Sequence, residues 1–420
     1  MKRPMDDRAL LADLFAAAVE AADPKRAIAA HLPERPKGRT VVVGCGKGAA
    51  QLAAAFEELW EGPVEGVVVT RYGYACPTRD IRVMEASHPV PDEAGMRATA
   101  ALLDAVDGLG ADDLVVALIC GGGSALLPAP AEGLTLDDEI ALNEALLRSG
   151  APIGAMNAIR RCASRIKGGG LAAAAAPARV VSLVVSDVPG DDPALVASGP
   201  TVPAPGGAAD AVAALDTYGI DLPAHLRAVI EAAAPPDPKD AVFERNETYV
   251  IASASISLEA AAARAETMGL AAVILSDAIE GEAADVGRVL AAIAGECRVR
   301  SRPFAPPVVV LSGGETTVTI TGEGGRGGRN SELALSFALA SEGREVLLLA
   351  ADTDGIDGSE DNAGAFADGL SAARMRAAGI DPGMALKGHD AWGAFEASGE
   401  LFATGPTGTN VNDFRAILVR

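Results

Sequence analysis

Aromatic residues are scarce in this chain: Phe, Tyr and Trp make up 4% of its 420 residues, against a hydrophobic share of 49% carried mostly by Ala, Val and Leu. That balance suits an α/β protein rich in helices. Histidine is nearly absent, with His31, His88, His225 and His389 scattered and never at ligand spacing, so a histidine-based zinc site is not expected. The five cysteines (Cys45, Cys76, Cys120, Cys162, Cys297) are odd in number and show no CxxC pair. No disulfide framework is expected, and a reducing compartment fits. Basic residues are outnumbered, 35 Lys and Arg against 57 Asp and Glu, for a net charge of −22. A nucleic-acid partner needs the opposite balance. No apolar run approaches the roughly 20 residues of a spanning helix, and no hydrophobic leader follows Met1–Leu10, so a soluble, cytoplasmic protein without a membrane partner is expected.

Glycine, by contrast, is abundant and concentrated. The length favours two domains, and the Pro-rich segment 235–238 suggests a boundary, giving expected domains of 1–238 and 239–420. Leu10, Leu11, Leu14, Phe15 and Val19 predict an amphipathic helix within 6–31. Short β-branched runs at 40–43, 66–70, 114–119 and 180–185 alternate with helical stretches, which predicts a parallel sheet covered on both faces. A second set of strands is expected at 248–251, 271–275, 307–311, 316–321 and 346–350. The runs 308–312 and 316–320, joined by Gly313-Gly314-Glu315, read as a hairpin, so this second sheet is expected to be mixed.

Open α/β sheets bind ligands beyond the carboxyl ends of their strands, and unusual residues stand at those ends. Gly44-Cys-Gly46-Lys47-Gly48 falls short of a dinucleotide fingerprint, because the next strand ends in Thr70-Arg71 rather than an acid. It also lacks the first glycine and the Ser or Thr of a phosphate-binding P-loop. Lys47 nevertheless sits at a helix start, where the dipole disfavours a cation, and a bound phosphate would resolve the conflict. Cys120-Gly121-Gly122-Gly123-Ser124 is not a nucleophile elbow, since Leu126 stands where glycine is required. It suits an oxyanion or phosphate cradle instead.

Asn157, Arg160 (or Arg161), Ser164 and Lys167 fall at helical spacing and predict one polar, basic stripe, either a solvated face or a substrate-anion site. Strand-end acids offer Mg²⁺ ligands or a base for a hydroxyl proton. Asp187 and Asp354 are the candidates, while Asp191, Asp192 and Asp357 read as turn residues. In the C-terminal hundred residues, Gly313, Gly314, Glu315, Arg326 and Arg329 mark a glycine nest before a helix, where N–H groups and the dipole favour an anion.

Together these segments resemble the glycerate 2-kinase family with a C-terminal MOFRL domain, whose older label is hydroxypyruvate reductase. The likeness runs nearly end to end through VVVGCGKGAA (41–50), SHPVPDE (87–93), CGGGSALLPAP (120–130), MNAIRRCASRIKGGGLA (156–172), VSDVPGDDPALVASGPTVP (185–203), GGETTVTITGEGGRGGRNSELAL (313–335) and TDGIDGSEDNAGA (353–365). It implies a larger Rossmann-like three-layer N-terminal domain and a smaller α/β C-terminal domain with the MOFRL region at about 306–414, the active site lying in the cleft between them. It implies ATP- and Mg²⁺-dependent phosphorylation of D-glycerate at the 2-hydroxyl, and a homodimer is the candidate assembly. Lys47 and Arg329 match family positions held to be essential. Charge matching gives the glycerate carboxylate to Arg326 or Arg160, with Ser124 and Asn157 beside it. Asp187 becomes base or metal ligand and Asp354 a metal ligand, and Gly44, Gly46, Gly121, Gly122, Gly313, Gly314 and Glu315 become nucleotide contacts. The chain departs from its relatives at Cys162, where His is common, at Gly170, where a charged residue is usual, and at Ser253-Ala254-Ser255, where Asn is usual. The competing reading is an NAD(P)H-dependent hydroxypyruvate reductase, which needs an arginine and a Glu–His acid pair.

Overall fold

The computed structural model describes residues 6–320, 322 and 324–420. It divides into two compact units, one of residues 24–251 and one in which 6–23 join 252–420.

The unit of residues 24–251 is built on a six-stranded sheet: β1 (Thr40–Cys45), β2 (Glu65–Arg71), β3 (Ile81–Ala86), β4 (Leu114–Cys120), β5 (Arg179–Val185) and β6 (Glu247–Ala252). The spatial order is 3-2-1-4-5-6, and β3–β2, β2–β1, β1–β4 and β4–β5 pair in parallel. This is the Rossmann order, in which the chain reverses its direction of winding between β1 and β4. The strands are apolar throughout because both faces are covered. Successive side chains alternate between faces: Val41, Val43 and Cys45 pack with Leu102 and Val106, while Val42 packs with Leu52 and Phe56. A separate helical cluster, with Leu142, Leu146, Ile159, Leu215 and Ile230 at its centre, carries Asn143, Asn157 and Arg160.

The other unit holds a mixed sheet as expected, in the order β13-β12-β11-β14-β9-β7. Its strands are β7 (Ala271–Ile274), β9 (Val308–Ser312), β11 (Val346–Asp352), β12 (Gly364–Asp368), β13 (Leu401–Phe402) and β14 (Asp413–Val419), and a two-stranded ribbon adds β8 (Gly281–Glu282) and β10 (Thr316–Thr317). Helices Ala283–Arg300 and Arg329–Ala340 cover one face, and Asp7–Ala21 and Ala254–Thr267 the other.

Three expectations change. The hairpin 308–320 does not form: β9 is flanked on both sides, by β14 antiparallel and β7 parallel, so no edge is left for residues 316–317. They pair with β8 instead, and Thr321, the last residue of the expected strand, lies outside the described residues. The expected boundary at 238 precedes β6, which completes the first sheet at its edge. The N-terminal helix joins the other unit, where Ser257 donates to the Ala18 carbonyl at 2.9 Å and Asp13 pairs with Arg264 at 2.7 Å.

Candidate active site

The switch point between β1 and β4 is where an open sheet of this order leaves a crevice, and several of the sequence candidates converge there. The turn after β1 lies directly against the turn after β4: the Lys47 N–H donates to the Gly121 carbonyl at 2.9 Å, and the Thr70 hydroxyl fixes the Lys47 carbonyl at 3.0 Å. Only glycine fits at 46, where φ is +123° and a Cβ would lie 2.3 Å from the Cys120 carbonyl oxygen. Gly122, at φ +80°, has the His88 imidazole and the Lys47 stem closing over it, 3.1 and 3.2 Å from where its Cβ would stand. Asp187, at the end of β5, presses its carboxylate against Gly121, with Oδ2 1.9 Å from that residue's missing Cβ position. Cys120 is a buried hydrophobe whose thiol is pushed up to about 12 by burial.

His88 was not among the sequence candidates. Burial first, then the Lys47 and Arg71 charges, lower its imidazole pKa, and Arg71 itself stacks on Tyr74 at 3.7 Å. Three nitrogen bases thus gather at one sheet edge of an acidic chain. The one available signal was positional, a lone histidine in a Pro-flanked segment following β3.

The predicted basic stripe breaks in two. Its helix ends at Cys162, and Ser164 turns away into a bridge with Pro130. Gly168 and Gly169, at φ +59° and +87°, redirect the chain, so Lys167 is buried on Glu139 as an ion pair. Arg161 donates to the Pro205 carbonyl at 2.7 Å. Arg160 stays with Asn157, donating from Nη1 to Asn157 Oδ1 at 3.2 Å and from Nε to Asn143 Oδ1 at 2.9 Å. Asn157 Oδ1 also accepts from the Ser198 hydroxyl at 3.0 Å, and Ser198 is 2.8 Å from the Ser124 hydroxyl. Asn143 carried no sequence signal, and Ser198 lay within the segment 185–203 without being singled out there.

In the other unit the acids and arginines form a buried network. Arg329 opens its helix and donates to Asp413 at 2.8 Å, Asp352 at 2.8 Å and Glu315 at 2.5 Å. Burial pulls its pKa down, but those three carboxylates outweigh burial and drive it above the usual arginine value. Asp352 is pushed well up by burial, by Asp354 and by Asp413. Asp413 also binds the fully buried Arg415 at 2.6 Å, and Arg415 donates to the Gly313 carbonyl at 2.9 Å. Gly314 accepts from the Asp413 N–H at 3.1 Å. The carboxylate of Asp354 accepts from the Ile356 N–H at 2.8 Å.

The helix start expected to receive an external anion already holds one. Asp357, read from sequence as a turn residue, accepts from the N–H groups of Asn330 and Ser331 at 2.9 and 2.8 Å and from the Ser331 hydroxyl at 2.5 Å. Arg326 does not join this network. It stacks on Trp392 at 3.4 Å and pairs with Glu360 at 2.5 Å. Among the described residues no group of three or more His, Cys, Asp or Glu side chains is arranged to hold a metal ion, and no helix is long and apolar enough to cross a membrane.

Residues 10–231 match a domain of unknown function, DUF4147, and residues 308–413 match the MOFRL family. A protein of Agrobacterium vitis, provisionally named hydroxypyruvate reductase, is 54% identical over 98% of this chain and 94% of its own length. The glycerate 2-kinase of Pyrococcus horikoshii is 40% identical, with 99% and 98% covered. The crystal structure of a glycerate kinase from Thermotoga maritima superposes with a TM-score of 0.90 at 39% identity, covering 98% of this chain and 99% of that one. The chain therefore belongs to the DUF4147–MOFRL family, whose members include proteins named glycerate 2-kinase.

Proposed function

We propose that this chain transfers the terminal phosphoryl group of ATP to the 2-hydroxyl of D-glycerate, giving 2-phosphoglycerate and ADP. The observation that carries the reading is the placement of Lys47 at the β1–β4 switch point, held there by a turn that accepts only glycine at 46, in a chain 40% identical to proteins named glycerate 2-kinase. Phosphoryl transfer proceeds through a loose transition state, so its catalysis lies in positioning and in fixed charge.

Lys47 is the cation for the transferring group. Arg160 takes the glycerate carboxylate, because Arg326 is already neutralised by Glu360. The substrate 2-oxygen bonds to phosphorus as the bond from phosphorus to the ADP oxygen breaks, and the hydroxyl proton passes to Asp187. Arg329 matches a family position held to be essential, and three carboxylates hold its guanidinium in one orientation, Glu315 being its exposed partner. A Mg²⁺ that enters with the nucleotide needs only one or two protein carboxylates, and Asp187 beside the glycine turn would be its ligand in the alternative to acting as the base. Bound there, the ion would offset negative charge on the phosphates. A soluble, cytoplasmic location and a homodimer agree with this reading.

The test is a coupled assay with purified protein, ATP, Mg²⁺ and D-glycerate, with enolase and no mutase. Phosphoenolpyruvate is expected, since enolase consumes only the 2-phosphate. Oxidation of NAD(P)H by hydroxypyruvate without ATP turnover would sink the proposal in favour of a reductase. Lys47→Ala should lose at least about 10²-fold in kcat, the usual cost of removing a transition-state charge contact, and Arg329→Ala should lose a similar factor by stranding Glu315, Asp352 and Asp413. Near-normal turnover in either variant refutes that residue's role.

A further inference from the structure

Arg160 is anomalous for its surroundings. A half-buried guanidinium commonly meets a carboxylate, and this chain has 57 acids to offer its 35 bases. Burial lowers the Arg160 pKa, yet the two side chains that hold it are both neutral amides, Asn143 at 2.9 Å and Asn157 at 3.2 Å. Glu139, whose charge acts on Arg160, makes its hydrogen bonds elsewhere: one oxygen binds Lys167 and the other accepts the Ala129 N–H at 3.1 Å. Arg329 shows what this sequence does when an arginine is to be neutralised, surrounding it with three carboxylates.

The arginine also fixes the direction of every hydrogen bond behind it. A guanidinium has five donors and no acceptor, so the Asn157 atom facing it is the oxygen, and the Asn157 amide nitrogen is left to donate to the Leu195 carbonyl at 3.2 Å. Because that oxygen also takes the Ser198 hydroxyl, the Ser198 hydrogen is spent there. The 2.8 Å contact between Ser198 and Ser124 is then a bond donated by Ser124. Ser124 therefore meets a ligand with its lone pairs, as an acceptor. The buried Ser198 that sets this order stands at φ +62°, next to Ala197 at φ +52°. Two successive non-glycine residues in the left-handed region are uncommon and costly, and such strain is held mostly at functional sites.

We infer that Asn143, Asn157 and Ser198 are positioning residues that orient Arg160 without neutralising it and turn Ser124 into an acceptor. The pair so prepared, one unspent guanidinium edge and one hydroxyl acceptor, matches a hydroxy carboxylate such as glycerate: the carboxylate pairs with Arg160 and the 3-hydroxyl, which does not react, donates to Ser124. This deepens the reading of the site as a glycerate site and rests on it.

Asn143→Asp tests the role of neutrality with almost no change of shape. The new carboxylate keeps an oxygen at the Arg160 Nε and adds the charge that the native site withholds. We expect KM for D-glycerate to rise by about 10- to 100-fold, the scale of losing a charge-assisted bidentate contact, while KM for ATP and the melting temperature stay within experimental spread. Asn157→Asp should do the same and serves if Asn143→Asp does not fold. Ser198→Ala should raise KM for glycerate with no effect on KM for ATP. Equal changes in both KM values, or an unchanged glycerate KM in the two aspartate variants, would overturn the inference. Arg160→Ala separates this from the underlying reading. If it leaves the glycerate KM unchanged, or if the unmodified protein makes no phosphoenolpyruvate, the glycerate site itself is misassigned. A raised KM in Arg160→Ala with a normal one in Asn143→Asp refutes only the asparagines' role.

Discussion

Three arginines singled out by their sequence surroundings meet three different fates, decided by their neighbours. Arg326 is consumed by Glu360 and the face of Trp392, Arg329 by three carboxylates, and Arg160 only by amide oxygens. Histidine 88 adds a fourth case, a base whose imidazole pKa is lowered by burial and then by Lys47 and Arg71. Its linkage to stability follows from that direction. Below the ordinary value of 6.5 the unfolded chain takes up a proton that the folded chain resists, so the unfolded state binds more protons and stability falls as pH falls. The increment is complete above 6.5 and is lost through the window beneath it. His88→Gln should flatten this part of the profile. A melting curve followed from pH 7.5 to 5.5 should show the unmodified protein losing more stability than the variant, and parallel curves would contradict the assignment.

At the scale of elements, the sequence signals that survived are those fixed by burial. The runs 114–119 and 180–185 are strands because both faces of the sheet are covered, and a continuous apolar run records that directly. The glycine turns after β1 and β4 were legible for the same kind of reason, since a Cβ at 46 would stand 2.3 Å from the Cys120 carbonyl oxygen and no side chain is admitted there. What was not legible depended on competition between distant segments. Residues 316–317 had the composition of a hairpin strand, but β14, a hundred residues later in the chain, takes the edge they needed. Ser164 and Lys167 kept helical spacing with Arg160, but Gly168 and Gly169 ended the pattern and Glu139 captured the lysine. Asp357 looked like a turn residue because the N–H groups it accepts lie 26 and 27 positions earlier. This last case carries a stability prediction. Asp357→Ala removes a fully buried carboxylate that caps the helix Arg329–Ala340, stranding two N–H donors and one hydroxyl. A cap is worth about 0.5–2 kcal/mol and a stranded buried donor about 1–3 kcal/mol. A loss of about 2–4 kcal/mol is expected in denaturant unfolding, and a loss below about 1 kcal/mol would mean that water replaces the cap.

For the whole molecule, the order of the chain and the membership of its units disagree at one place. The helix Asp7–Ala21 precedes the first sheet in sequence but buries Leu10, Leu11, Leu14 and Phe15 in the core of the unit formed by 252–420, with Leu258, Ala261, Leu311 and Phe414. The rings of Phe15 and Phe402 meet edge to face at 5.2 Å, as do Phe15 and Phe414 at 5.7 Å. At about 1.5–3 kcal/mol for each large apolar side chain, those four residues contribute roughly 6–12 kcal/mol, as much as an ordinary domain's entire stability. Without the helix, the face of the sheet that carries Leu311 and Leu418 would open to water together with the inner side of the helix Ala254–Thr267. Deleting residues 1–23 should therefore unfold or loosen 252–420 selectively. Hydrogen exchange read by mass spectrometry should show protection lost in peptides from β9, β11 and β14, while peptides from β1, β4 and β5 keep theirs. Equal loss in both sets would mean that the helix supports the whole chain, and unchanged protection in β9, β11 and β14 would mean that its burial contributes far less than its area implies.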